Sequence, residues 1–196
     1  MQTNIQAAPR SLSRVRVMVE CAMMIAIGTV LANIKIFTMP NGGSITLVSM
    51  LPFILVSYRH GVKWGVFTGF VNSLLQMMIG WWAPPAGTLS AFVGMILLDY
   101  VLAFTALGLA SVFAKPFGGS RKPAGAIMGA AAVCSIRFVC SFLSGFLIWG
   151  SLATDGMGAV IYSLQYNLSY MLPETVLTVA AAAALVRCAP QLFEAN

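Results

Sequence analysis

The sequence predicts an all-α fold: an integral membrane bundle of six transmembrane helices with both termini cytoplasmic. Three observations lead there. Of 196 residues, 59% are hydrophobic and 8% charged, with a mean hydropathy of +0.89, whereas soluble domains carry roughly 25% charged residues. The apolar stretches are continuous rather than alternating and come in lengths near the roughly 20 residues that carry a helix through a bilayer core. In lipid, a helix satisfies every backbone N–H and C=O internally. Third, the basic residues are asymmetric. With the N-terminus inside, Arg10, Arg14, Arg16, Arg59, Lys63, Lys115, Arg121, Lys122 and Arg187 fall on the cytoplasmic side and only Lys35 falls outside. The net charge of +6 therefore reads as membrane topology, not as a nucleic-acid surface.

The first span, 15–35, follows a basic opening that imitates a secretory signal. Glu20 interrupts its apolar run and five further spans follow, so it is read as a resident helix. The second span, 44–58, is the shortest. The third to sixth are expected at 61–82, 88–114, 124–149 and 162–187. No linker, repeat or low-complexity tract divides the chain, and 1–196 reads as one domain; the AAAAAL run of the last span suits close helix packing. Three outer loops differ in character: FTMPNGGS (37–44) is rich in glycine, WWAPPAG (81–87) is stiffened by two prolines, and GSLATDGMG (150–158) carries Asp155. Either they gate an outward-facing pocket or they are plain surface turns. Cys21, Cys134, Cys140 and Cys188 show no CxxC spacing and read as small apolar residues, with neither a disulfide nor a metal site expected.

Ionisable groups inside hydrocarbon cost about 2.5–3.5 kcal/mol each on insertion scales, which makes them candidates for function. Four are present: Glu20, Asp99, Arg137 and Glu174. Counted inward from the outer ends of their helices, Asp99, Arg137 and Glu174 all lie roughly 16–18 Å deep at 1.5 Å per residue. Two carboxylates facing one guanidinium would leave a net negative pocket suited to an organic cation. The alternative is a structural ion pair between Arg137 and one carboxylate, and the two readings are compatible. Arg137, Ser141, Gly145 and Trp149 recur every four residues and share one helix face, while Asn167, Tyr170 and Glu174 follow at i, i+3 and i+7 with Tyr162 above them. The pattern describes a cleft with a carboxylate floor, amide and hydroxyl walls and aromatic rings at the mouth. It fits a flat, nitrogen-rich cationic ring system. For Trp149 and Tyr162 an interfacial aromatic belt is the competing explanation. Asn72 and Gln76, one turn apart, read equally as interhelical glue or as pocket lining. Ala22 and Ala26 form a small-xxx-small stripe on the first helix, which permits close approach of another helix.

Enzyme chemistry finds little support. The single histidine, His60, lies in a basic inner loop, HExxH is absent, and no GxxxxGK[ST] motif would supply nucleotide energy. No cofactor is expected.

Four segments carry a family resemblance over nearly the whole chain. They are Ala22 and Ala26 two residues after Glu20; YRHGVKWG in the inner loop; LLDYVLAFTALGLA; and LIWGSLATDGMGAVIYSLQYN. They resemble the AxxxA, RRGxKYG, IEYILAFxxMGLAG and WGSYxPxGMxAVLYSxxxN patterns of the thiamine-specific substrate-binding subunits (S-components, ThiT or YuaJ type) of energy-coupling-factor transporters. The resemblance implies a bacterial plasma-membrane protein that binds thiamine from outside and delivers it inward. Its partners would be a membrane coupling subunit, docked on Ala22 and Ala26, and two cytoplasmic ATPase subunits. It also implies ligand contacts at Asp99, Tyr100, Gly145, Trp149, Tyr162 and Asn167, with Trp149 stacking on a ring, Tyr162 and Asn167 bonding the aminopyrimidine and Asp99 facing the cation. The family's glutamate is here the shorter Asp99, its helix 5 histidine is Ser141, and the stacking tryptophan of its first outer loop falls near Gly43. Glu174 is positioned to compensate for the reach of Asp99, and Trp81 or Trp82 to supply the ring missing at Gly43. The runner-up reading is a proton-coupled secondary transporter of a small organic cation, working through Asp99 and Glu174.

Overall fold

The computed structural model describes residues 10–40, 42–153 and 156–193, of which 10–13 are described by their backbone alone. Six helices form the bundle: α1 Arg10–Asn33, α2 Leu51–His60, α3 Val62–Ile79, α4 Leu89–Phe117, α5 Pro123–Leu147 and α6 Ala159–Cys188. Two strands, β1 Lys35–Thr38 and β2 Ser44–Thr46, pair as an antiparallel hairpin between α1 and α2. Short 3₁₀ turns follow α5 at Gly150–Leu152 and α6 at Pro190–Phe193. α1, α4, α5 and α6 are each long and apolar enough to cross a membrane. Asp155 of the third outer loop lies outside the described residues.

The expected second span, 44–58, is the main correction. Its helix has ten residues, only about 15 Å at 1.5 Å each, and the first part of the run is a strand. Local chemistry accounts for the break. Ile45, Thr46 and Val48 are β-branched and favour extended backbone. Val48 takes a left-handed φ of 58°, and Pro52, which lacks an N–H, is accommodated only in the first turn of a helix. Non-helical backbone at membrane depth survives where protein buries it or where it lines a cavity. Both hold here, since Thr46 and Ser49 are buried and border the cavity described below. The first span likewise ends at Asn33 rather than 35, because Lys35 opens β1.

The core centres on α2, which is buried along Leu51–Tyr58 and packs Phe53, Ile54 and Leu55 against Leu107, Ala130, Val133 and Cys134. α5 and α6 share the most extensive helix contact. α3 and α4 cross with their backbones touching, and a Cβ on Gly108 would collide with the backbone of Gly65 and Val66. At its inner end α1 is tied to α2 through Glu20, which is hydrogen-bonded to His60 Nε2 at 2.8 Å and forms ion pairs with Arg59 Nε at 3.0 Å and Arg16 Nε at 3.3 Å. Glu20 is therefore a clasp between helices. The opposite face of α1 is exposed, with Val15, Met18, Val19, Ala22, Met23 and Ala26 on it. All four cysteines are free thiols.

Candidate functional site

α4 is not a uniform α-helix. Over Ile96–Leu102 it widens to a π-helical stretch that contains Asp99 and Tyr100. Such insertions cluster at functional sites because they re-aim side chains without breaking the helix. Here the π-turn delivers both residues to one cavity of about 210 Å³. All eight residues expected at a binding site line it: Asp99, Tyr100, Ser141, Gly145, Trp149, Tyr162, Asn167 and Glu174. Arg137, Gln76 and Tyr170 line it too, whereas the fully buried Asn72 does not. Arg137, Ser141 and Gly145 occupy the one face of α5 that their spacing requires, and Trp149, two residues past the helix end, lines the same cavity.

The floor carries the charges, each separately held. Asp99 Oδ2 accepts from Ser144 Oγ at 2.5 Å and from the Trp149 indole N–H at 3.3 Å. Glu174, 1% exposed, accepts from Thr46 Oγ1 at 2.6 Å and from Ser49 Oγ at 3.4 Å. The alternative reading, an ion pair between Arg137 and a carboxylate, does not form among the described residues. Its guanidinium instead lies 4.7 Å from the centre of the Phe104 ring, and Nε and one terminal nitrogen have no hydrogen-bond partner. Cation–π attraction to Phe104 substitutes for a salt bridge.

The walls are polar and aromatic. Asn167 donates from its amide nitrogen to Ser163 O at 2.9 Å and accepts from Tyr170 Oη at 2.9 Å. Gly145 allows this approach of α5 to α6, since a Cβ there would meet Ser163 Oγ and Asn167 Nδ2. Tyr162 stacks on Tyr166 at 5.8 Å between centroids. Tyr166 Oη in turn accepts from the Gly43 N–H of the hairpin at 3.1 Å. Ala32, Lys35, Gly42, Gly43 and Ser44 bring the first outer loop and the end of α1 to the mouth.

The two tryptophans of the α3–α4 loop have separate places. Trp81 stacks between Phe92 and Tyr100, 6.2 and 6.3 Å away, while Trp82 lines the cavity beside Gly42. Thr46, Ser49, Phe104, Ser144 and Tyr166 were not singled out in the sequence. Thr46 and Ser49 lie in the broken span, where a helical reading hides their convergence, and isolated hydroxyls or a phenylalanine in an apolar helix give no pattern. No group of three or more histidine, cysteine or acidic side chains is placed to hold a metal among the described residues.

A negative floor, a buried guanidinium held apart from it, and tyrosine and tryptophan rings above suit a flat organic cation. Comparison with known proteins identifies the family. The profile of the thiamine transporter protein family (Thia_YuaJ) matches residues 18–194. The thiamine transporter ThiT of Bacillus subtilis is 31% identical over 188 residues, covering 91% of this chain and 94% of that protein. ThiT of Lacticaseibacillus paracasei is 30% identical over 158 residues, 75% of each chain. A solved structure of ThiT from Listeria monocytogenes superposes with a TM-score of 0.76 at 24% identity, covering 92% of this chain and 98% of that one, and shares its fold. The chain is a multi-pass cell-membrane protein and belongs to the thiamine transporter family Thia_YuaJ.

Proposed function

We propose that this chain is the substrate-binding membrane subunit of an energy-coupling-factor transporter, taking thiamine from the outside and passing it inward when joined to its partners. The observation that carries the reading is the convergence of Asp99 and Glu174 with Trp149, Tyr162 and Asn167 on one cavity. The thiazolium ring carries a permanent positive charge, which the two carboxylates would face in a medium where charge attraction is little screened. The aminopyrimidine is flat and offers donors and acceptors to Asn167 and the tyrosines. Tyr100, Ser141 and Gly145 would complete the wall.

Both termini would be cytoplasmic, and the exposed Ala22 and Ala26 would receive the membrane coupling subunit, with two cytoplasmic ATPases supplying energy. The sequence contains no nucleotide-binding GxxxxGK[ST] motif of its own. The test is uptake of radiolabelled thiamine into proteoliposomes. The chain alone should bind thiamine without accumulating it, and accumulation should require the coupling subunit, the ATPases and ATP. Accumulation by the chain alone, driven by a proton gradient, would instead establish a secondary transporter.

A further inference from the structure

The cavity holds two carboxylates and one guanidinium, yet no salt bridge joins them among the described residues. In a poorly screened interior a nearby opposite pair normally closes, because leaving either charge unpaired is costly. Each charge here has an alternative partner from a different element. Thr46 and Ser49, at 2.6 and 3.4 Å, hold the Glu174 carboxylate from the β2–α2 junction. The two hydroxyls lie 2.7 Å apart, so one hydrogen-bonded pair serves the acid. The left-handed turn at Val48 lies between them and bends the chain where both hydroxyls turn toward α6. Elsewhere in the lining, the Phe104 ring holds Arg137 at 4.7 Å.

From this arrangement we infer that Thr46, Ser49 and Phe104 are positioning residues for ligand recognition: they keep Glu174 and Arg137 apart, so that the carboxylate remains available to a cation. Without the hydroxyls, Glu174 swings to the guanidinium and the ion pair withdraws that carboxylate from a cation, leaving Asp99 alone to face it. Without the ring, Arg137 moves to the carboxylate with the same result. The ligand class is a permanent organic cation, and the inference rests on the thiamine reading above.

The experiment compares two probes by calorimetry on the full-length protein in detergent: thiamine, and an uncharged analogue in which a thiophene replaces the thiazolium. The ratio of their affinities measures charge recognition separately from fit. Thr46→Val and Phe104→Leu should each reduce thiamine's advantage by about tenfold, the worth of one charge-assisted contact. Affinity for the neutral analogue should fall clearly less than affinity for thiamine. Adding Arg137→Gln to Thr46→Val should restore the advantage, since no guanidinium remains to capture Glu174. A ratio unchanged in both single variants, or equal loss for both probes, overturns the inference and leaves the thiamine reading intact. A failure of the double variant to recover, while it still binds the neutral analogue as the wild type does, also overturns it. Wild-type protein that binds neither probe overturns the thiamine reading and this inference together.

Discussion

Ser144 Oγ lies 2.5 Å from Asp99 Oδ2, joining α5 to the π-helical turn of α4 at the floor of the cavity. The contact fixes the carboxylate at that floor. The Trp149 N–H, 3.3 Å from the same oxygen, ties an aromatic wall to the charge beneath it.

Asp99→Asn keeps the shape and removes the charge. It should weaken thiamine binding at least about tenfold, equivalent to about 1.4 kcal/mol for one charge-assisted contact. A titration following tryptophan fluorescence measures this, and an unchanged affinity would remove Asp99 from the cation site.

Trp82 stands at the mouth, half exposed, against Gly42 of the hairpin tip. Its ring is placed to cover the ligand, whereas Trp81 is committed to Phe92 and Tyr100. Trp82→Ala should accelerate thiamine release several-fold, with Trp82→Phe close to wild type, since stacking energy of roughly 0.5–1.5 kcal/mol belongs to the ring rather than to the indole N–H. Stopped-flow fluorescence reads the rate, and identical rates for the three proteins would rule out that cover.

Val48 is a β-branched residue at φ 58°, a conformation that costs about 1–3 kcal/mol. Val48→Gly relieves this while giving up a half-buried side chain, so the two effects oppose each other. The variant should lie within about 1 kcal/mol of wild type in thermal unfolding, whereas Ile54→Ala, at a fully buried position, should cost about 2–5 kcal/mol. Equal losses would mean that Val48 is not strained.

Ala22 and Ala26 face outward from α1. Replacing both by tryptophan should abolish ATP-driven uptake with the reconstituted partners and leave thiamine affinity within about twofold of wild type, because bulk on an exposed stripe blocks helix approach without entering the cavity. Loss of binding as well would place the stripe in internal packing.

The long spans were legible because continuous apolar sequence leaves the backbone one economical solution in lipid. The common face of Arg137, Ser141 and Gly145 was legible from helical periodicity alone, although the helix ends before Trp149. Three features were not. The break at 44–50 depends on a hairpin pairing and a left-handed valine, and apolar content cannot distinguish a strand followed by a short helix from one span. The π-turn at Asp99 shifts register within an uninterrupted apolar run. The separation of Arg137 from both carboxylates depends on Phe104 and Thr46, whose roles exist only once α4, α5, α6 and the hairpin are brought together; charge count alone left a salt bridge and an open cation site both standing.

The central claim is that this cavity binds thiamine. Isothermal titration of the purified, ligand-depleted protein with thiamine tests it most directly. The account predicts saturable one-to-one binding that Asp99→Asn and Glu174→Gln each weaken by about tenfold. An absence of heat and of saturation in correctly folded wild-type protein, or affinity untouched by both substitutions, would contradict it.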